Sequence, residues 1–346
     1  MRRKKCVSIS ACVAVLVYYF FGIGDYLFSK SFDDEFNYPL NINLQPVVDE
    51  VLAGRAPRVT PINLYPYRYL STTTQCSNVD KINLLIMVKS AIEHFDQRKA
   101  IRLTYGREHV PNKVVKLIFF LGIHRNPDPN VRKRVVEERE EYSDVIQMDF
   151  EDNYYNMTIK TMMSFRWAYE HCPLADYYLF TDDDMYISVT NVLKFVEVPS
   201  DSVPDDRLRK AEWRSRAYER HLIAGYVFKS APQRFWTSKW RVSLAEYPWN
   251  RWPAYVTAGA YVVSNRSMKA IHVASAFVKH FRFDDIYLGI VAKKLGIELT
   301  HSEHFHFYKK RYTRDGYKDV IASHGYGDPD ELISVWNDQN VRQYFA

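Results

Sequence analysis

The chain has 346 residues, of which 47% are hydrophobic and 15% aromatic, and its formal net charge is +6. That length permits one large catalytic domain or two small ones, each with an ample core. Four of the positive charges are Arg2, Arg3, Lys4 and Lys5; the near-neutral remainder argues against a nucleic-acid binder, which needs a basic face.

The stretch CVSISACVAVLVYYFFGIG, Cys6 to Gly24, follows this basic head without a charged residue, and at ~1.5 Å per residue it reaches roughly 28 Å, about the thickness of a hydrocarbon core. Asp25, Asp33, Asp34 and Glu35 come next. The positive-inside rule therefore predicts a cytosolic tail at 1–5, a single-pass transmembrane helix at 6–24 and a lumenal remainder. A cleaved signal peptide is the competing reading; the bulky Tyr18-Tyr19-Phe20-Phe21 run and the lack of a small-x-small cleavage site weigh against it. Beyond the stretch only Cys76 and Cys172 remain, which could form one disulfide. Asn156-Met-Thr and Asn265-Arg-Ser are sequons that glycosylation could use there. Residues 25–80, rich in Pro, Asn and Tyr with weak periodicity, read as a non-catalytic stem partly packed on a body at 81–346.

Strand and helix patterns then alternate. INLLIMV at 82–88, a helix from Glu93 to Thr104, VVKLIFFLG at 114–122 and a charged helix from Asn130 to Glu141 set a βαβα rhythm. DVIQMDF at 144–150, a helix from Met157 to His171 and the strand YYLF at 177–180 continue it. The fold class is α/β, a mostly parallel sheet with helices on both faces, whose ligands collect at the carboxyl ends of the strands. A polar, Arg-rich insertion at 205–220 reads as a solvated loop or short helix. The strand HLIAGYVF, the aromatic segment EYPWNRWPAYVTAGAYVVS, a helix from Arg266 and FRFDDIYLGIVAKKLGI complete the pattern.

One strand end carries three consecutive carboxylates, Asp182, Asp183 and Asp184, between apolar runs. Packing them together incurs repulsion and desolvation that no fold requires, and a bound cation would offset both. A divalent ion of the Mg or Mn type takes oxygen ligands and keeps positions open for substrate phosphate, so one or two carboxylates suffice, and Asp182 and Asp184 can point the same way. The bland alternative is a solvated acidic turn, which the flanking apolar strands oppose. Arg98 and Arg102, four apart on a helix after the first strand, could hold an anion. Lys160 is more often a solvated helix residue. Asp284 and Asp285 could simply begin a helix. Tyr247, Trp249, Trp252 and Tyr255 offer faces for sugar rings or belong to the core.

The segments KSAIEHFDQRKAIRLTYG, QMDFEDNYYNMTIKTMMSFRWAYEHCP, YYLFTDDDMYISVTNVLKFV, EYPWNRWPAYVTAGAYVVS and FRFDDIYLGIVAKKLGI resemble, in order and spacing, the β1,3-glycosyltransferases of family 31 over roughly residues 81–340, with the last segment and VIASHGYGDP of the type found in its insect and nematode members. The resemblance implies the GT-A type of fold in a Golgi-lumen domain behind a type II anchor. It implies a DxD site at Asp182 to Asp184 for Mn²⁺ (or Mg²⁺) and the diphosphate of a UDP-sugar, with Asp184 as direct ligand and Asp182 and Asp183 toward the nucleotide. Arg98, Arg102 and Lys160 would contact the nucleotide, although relatives usually have Trp where this chain has Tyr105. His324 matches a histidine that can reach the metal; His301, His304 and His306, alternating along a predicted strand, are the competing candidates. Asp285 matches the catalytic base, with Asp284 supporting it, and Tyr247, Trp249, Trp252 and Tyr255 form the acceptor platform.

The expected activity is inverting β1,3-transfer of N-acetylglucosamine from a UDP-sugar to the 3-hydroxyl of a mannose- or galactose-terminated glycan, on a glycosphingolipid or a glycoprotein. Transfer of galactose or N-acetylgalactosamine is the alternative, because a single hydroxyl or acetamido contact selects the donor. From other classes come a silent lumenal sugar-binding protein, which would have no need to keep clustered acids, and a metal phosphohydrolase, for which the further His and Asp ligands of a two-metal site are missing.

Overall fold

The computed structural model describes residues 13–77, 79, 81–126, 128–197 and 220–340. The predicted tail at 1–5 and all but one residue of the insertion at 205–220 lie outside them.

Eleven strands fall into two sheets among the described residues. The larger is built on β1 (Tyr69–Ser71), β2 (Ile82–Lys89), β3 (Val115–Ile123), β4 (Val145–Glu151) and β5 (Ala175–Asp182). It also takes β7 (Ile223–Phe228), β8 (Tyr255–Ser264) and β9 (Thr300–His301), in the order β1-β4-β3-β2-β5-β8-β7-β9. β4, β3, β2 and β5 run parallel, whereas β8 is antiparallel to both β5 and β7, and β1 is antiparallel to β4. The expected mostly parallel sheet is thus a parallel half joined to a mixed half.

The parallel half is buried on both sides, and its strands accordingly read as unbroken apolar runs. Along β2, Leu85 and Met87 enter one core while Leu84, Ile86 and Val88 enter the other. Helix α1 (Gln45–Leu52) precedes the sheet; α2 (Phe95–Leu103), α3 (Pro129–Tyr142), α4 (Met157–His171), α5 (Val189–Glu197), α6 (Asn265–Ser275), α7 (Asp284–Lys294) and α8 (Pro329–Asn340) follow in chain order. α4, α6 and α7 supply one core and α2, α5 and α8 the other. The smaller sheet joins β6 (Met185–Ile187), β10 (Phe305–His306) and β11 (Ala322–His324) in the order β10-β11-β6.

The structure bears on four expectations. Residues 25–80, expected to pack partly on the body, meet it at several points: Leu44, Val47 and Val48 are in the main core, the Ile62 and Asn63 amides donate to Ala276 O at 2.8 and 3.0 Å, and β1 extends the sheet. Among the described residues no helix is long and apolar enough to cross a membrane. Residues 13–20 are helical, and Gly22, at φ +64°, ends that helix where an added Cβ would sit 2.5 Å from the Arg234 carbonyl oxygen; residues 6–12 of the stretch 6–24 lie outside the described residues. The histidines of HSEHFHF do not alternate along one strand: His301 ends β9 and His306 ends β10, with a turn between. Both sequon amides are committed to the fold. Asn156 Nδ2 donates to Glu151 O at 2.8 Å, and Asn265 Nδ2 donates to Pro173 O and Ala175 O, each at 2.7 Å, so a glycan on Asn265 would displace one of these bonds. Cys76 and Cys172 are joined in a disulfide, Cα to Cα 5.5 Å, which fastens the segment before β2 to the end of α4.

Candidate active site

The three acids occupy the corner where the chain leaves one sheet for the other: Asp182 ends β5, and Asp183 and Asp184 form the two-residue turn before β6. Strand register determines their neighbours. β2 pairs with β5 so that Lys89 lies beside Asp182, and β11 pairs with β6 so that His324 lies opposite Met185. Gly259 on β8 permits this closeness, since a Cβ there would meet Met185 Sδ at 3.2 Å and His324 Cδ2 at 3.9 Å.

Each acid has a different environment. Asp183 faces inward, its Oδ2 accepting from Ser90 Oγ at 2.6 Å and Ala91 N at 3.2 Å and lying 2.8 Å from His94 Nδ1. Burial opposes its charge, but these donors hold its carboxyl below the usual carboxylate range. It is a brace for the 90–94 turn, not the nucleotide contact expected of it. Asp184 Oδ2 lies 3.0 Å from His324 Nε2, and this partner raises the imidazole pKa. Asp182 Oδ1 is 3.1 Å from Lys89 Nζ; burial and the charges of Asp284 and Asp184 push its pKa up to about 7 even so.

Lys89, which sequence reasoning missed, organises the corner. Its side chain is wholly buried, with Nζ 2.8 Å from Asp284 Oδ2 and 3.1 Å from Asp182 Oδ1. Burial disfavours the ammonium, but the two carboxylates hold its pKa well above the ordinary lysine value. Thr161 on α4 donates to the same Asp284 oxygen at 2.8 Å. Despite burial, Lys89 and Thr161 keep the Asp284 carboxyl below the usual range, so Asp284 is a support with its charge already matched. Asp285, the next residue, receives a bond from Ile286 N at 2.7 Å; burial first, and then the neighbouring charge of Asp284, push its pKa up to about 7. One carboxylate is thus neutralised and the adjacent one left able to take up a proton near neutral pH. A lysine closing an eight-residue apolar strand, at the edge where ligands collect, was the signal that could have found Lys89.

Asp182, Asp284, Asp285 and His324 line one cavity of about 640 Å³ at this strand edge. Trp252 and Tyr255 line it too. Tyr247 and Trp249 do not: Tyr247 is fully buried and Trp249 nearly so, packed on each other at 4.9 Å between ring centres. Trp252, itself buried and 4.1 Å from the Tyr247 ring, and Tyr255 thus edge the cavity while Tyr247 and Trp249 face the core. Tyr154 and Phe283, inside quoted segments but assigned no role there, and Phe228, Trp240 and Phe307, outside them, complete the aromatic wall.

The expected nucleotide-binding cations are structural. Arg98 directs its guanidinium to Glu138 at 2.7 Å, Ser90 Oγ at 3.0 Å and the carbonyls of Ala91 and Ile92 at 2.6 and 3.1 Å, leaving no direction for a phosphate. Arg102 is spent on Asp144 and Glu138. Lys160 Nζ donates to Ser90 O at 2.8 Å and lies 2.7 Å from Asp152 Oδ1. Together they tie the strand ends that carry the turn gripping Asp183. Arg98→Met should therefore destabilise the chain by about 3–5 kcal/mol, the loss expected when one partner of a buried pair is removed, with nucleotide affinity per folded molecule unchanged; urea unfolding and nucleotide titration of the folded fraction check both. Tyr105, noted for standing in a Trp position, is fully buried.

No group of three or more His, Cys, Asp or Glu side chains is arranged as a metal cluster among the described residues. The oxygens present still fit a hard divalent cation: Asp184 Oδ1 is buried without a hydrogen-bond partner and Asp182 Oδ1 has only the Lys89 ammonium, at 3.1 Å, beside the imidazole of His324, and such ions retain water and phosphate as further ligands. His301 is not part of this set, since its Nδ1 accepts from Val227 N at 3.0 Å and its Nε2 lies 2.8 Å from Glu303.

A family profile described as Galactosyltransferase matches residues 96–303. The Drosophila melanogaster protein named beta-1,3-galactosyltransferase brn is 37% identical over 343 residues, 98% of this chain and 97% of its own. A Xenopus tropicalis lactosylceramide 1,3-N-acetyl-beta-D-glucosaminyltransferase is 31% identical over 327 residues, 90% of this chain and 80% of its own. The human beta-1,3-galactosyltransferase 1 is 28% identical over 288 residues, 83% of each chain.

Proposed function

From the premise that this chain belongs to the galactosyltransferase family, the β1,3-glycosyltransferases of family 31, we propose that it is an inverting, GT-A type transferase moving N-acetylglucosamine from a UDP-sugar to the 3-hydroxyl of a mannose- or galactose-terminated glycosphingolipid. The observation that carries this reading is the meeting in one cavity of a base-ready carboxylate, Asp285, with Asp182 and His324, the imidazole of His324 being backed by Asp184 at 3.0 Å. The name of the amphibian relative supports the donor and the lipid acceptor; the name of the fly relative supports galactose as the alternative donor.

Each residue has a task. Asp285 accepts the proton of the attacking hydroxyl, and forming a β bond from an α-linked donor in one displacement requires one such base opposite the leaving group. Asp284, Lys89 and Thr161 hold the start of α7, and with it Asp285, against the sheet. Trp252 and Tyr255 offer flat faces to the acceptor ring. Asp182, Asp184 and His324 would hold Mn²⁺ or Mg²⁺, which supplies positive charge against the departing UDP. The uncharged stretch at 6–24 behind four basic residues supports a single-pass type II anchor in the Golgi membrane, and the disulfide supports an oxidising lumen.

The test is transfer by the chain with Mn²⁺, a panel of UDP-sugars, and β-mannosyl, β-galactosyl and β-N-acetylglucosaminyl acceptors. One donor and one acceptor should dominate, and Asp184→Ala should weaken UDP binding in the presence of Mn²⁺ and lower transfer by about 10²-fold or more, the scale of a lost electrostatic stabiliser. Transfer from none of the donors, or an Asp184→Ala enzyme with wild-type affinity and rate, would sink the reading.

A further inference from the structure

The cavity rim is joined to the N-terminal apolar segment by an unbroken run of contacts. The Phe20 carbonyl accepts from Trp236 N at 3.0 Å, and the Tyr26 hydroxyl accepts from Arg234 N at 3.4 Å. Arg241 lies 3.8 Å from Asp25, its guanidinium 4.2 Å above the Trp236 ring. The same loop continues to Trp240, whose indole donates to the Tyr154 hydroxyl at 2.8 Å, with the Lys239 ammonium 4.5 Å over the Trp240 ring and 5.6 Å over Tyr154. Trp240 and Tyr154 are cavity wall. The loop therefore reaches from the apolar segment to the reaction site.

Segment and loop together leave an outer face that the fold does not bury. Leu16, Leu27 and Phe28 are 67%, 70% and 74% exposed, and Trp236 is 60% exposed, with a groove of Leu16, Val17, Tyr19, Phe20 and Trp236 between segment and loop. A contiguous apolar patch of this kind calls for a partner. Aliphatic side chains at Leu16 and Val17, with Trp236 beside them and Lys239 and Arg241 stacked on the loop's indoles, are the residue types that a bilayer's acyl chains, interface and headgroups each favour. There is also no slack: Lys30 already donates its amide to Pro248 O at 2.8 Å and accepts from Asn250 N at 2.9 Å, six residues past Gly24.

We propose that loop 233–241, with Tyr154, is a membrane-seating surface that holds the cavity mouth at headgroup depth, so that the chain takes as acceptor the sugar headgroup of a lipid in the bilayer it rests on. The acceptor's role depends on the transferase reading; the seating does not.

The test uses the full chain reconstituted in phosphatidylcholine vesicles containing lipids brominated near the headgroup end of the acyl chains. Tryptophan fluorescence should be quenched, and Trp236→Phe should remove part of that quenching. The double variant Trp236→Ser, Lys239→Glu, at two positions outside the cavity wall, should lose about tenfold in transfer to a glycosphingolipid in the vesicle through lost effective concentration, and stay within about twofold on a soluble oligosaccharide with the same terminal sugar. The soluble acceptor doubles as the folding control. Quenching that is absent or indifferent to Trp236→Phe overturns the proposal, as does a double variant that treats the two acceptors alike. A wild-type chain that glycosylates neither acceptor overturns the transferase reading instead, and the quenching then still decides the seating.

Discussion

Asp285→Asn is expected to lower transfer by about 10²–10⁴-fold, the usual contribution of a positioned general base, while nucleotide affinity stays within about twofold of wild type. Asn keeps the shape and the acceptor oxygen for Ile286 N but cannot take the hydroxyl proton. The same residue sets a pH dependence. With a pKa pushed up to about 7 by burial and by Asp284, it is protonated and inactive as a base below that pH, so kcat/KM of the wild type should rise through pH 7 and level off above it. For stability the sign is opposite: a carboxyl whose folded pKa is raised stabilises the fold below its unfolded value near 4 and loses that contribution as pH rises through about 7. Rates across pH 5–9 for both proteins, with UDP titration calorimetry, decide the matter. Normal turnover by Asp285→Asn would remove the base from this position.

Lys89→Met should be the most damaging change outside the reacting groups. It leaves Asp284 and Asp182 facing each other without the ammonium that joins them, a loss of about 3–5 kcal/mol for an orphaned buried charge. It should also remove transfer, because the start of α7 loses its hold on the sheet. A plain packing defect would lower stability equally at every pH. Here the destabilisation should be largest at neutral pH and shrink as pH falls toward about 4, since protonating Asp284 discharges the orphan: in the wild type the depressed Asp284 pKa stabilises the fold above its unfolded value and the benefit disappears as pH falls through the folded one. Urea unfolding of the two proteins at pH 4.5 and 7.5 tests this, and a constant difference would refute the role given to Lys89.

Much of this molecule is legible along the chain because its signals are local. The helix at Met157–His171 falls where its pattern predicts, and β2, β3, β4 and β5 agree with their apolar runs to within a few residues, since strands buried on both faces must be apolar throughout. The acid triplet could be recognised as a site because three adjacent carboxylates are costly anywhere in a fold. The order of its motifs sufficed to identify the family.

Partnership between distant residues was not legible. Arg98, Arg102 and Lys160 look like anion ligands until Glu138, Asp144 and Asp152 arrive from other elements to neutralise them. Tyr247 and Trp249 look like a sugar platform until the fold turns them inward, while Trp240 and Tyr154, given no role by the sequence, meet at the rim. The sequence by itself determined which residues could carry charge, apolar surface or a proton, because those are properties of single side chains and short periods. Only the tertiary structure decided which charges are already satisfied and which remain for a substrate, because that depends on strand register and helix packing across long separations, such as the 195 residues between Lys89 and Asp284.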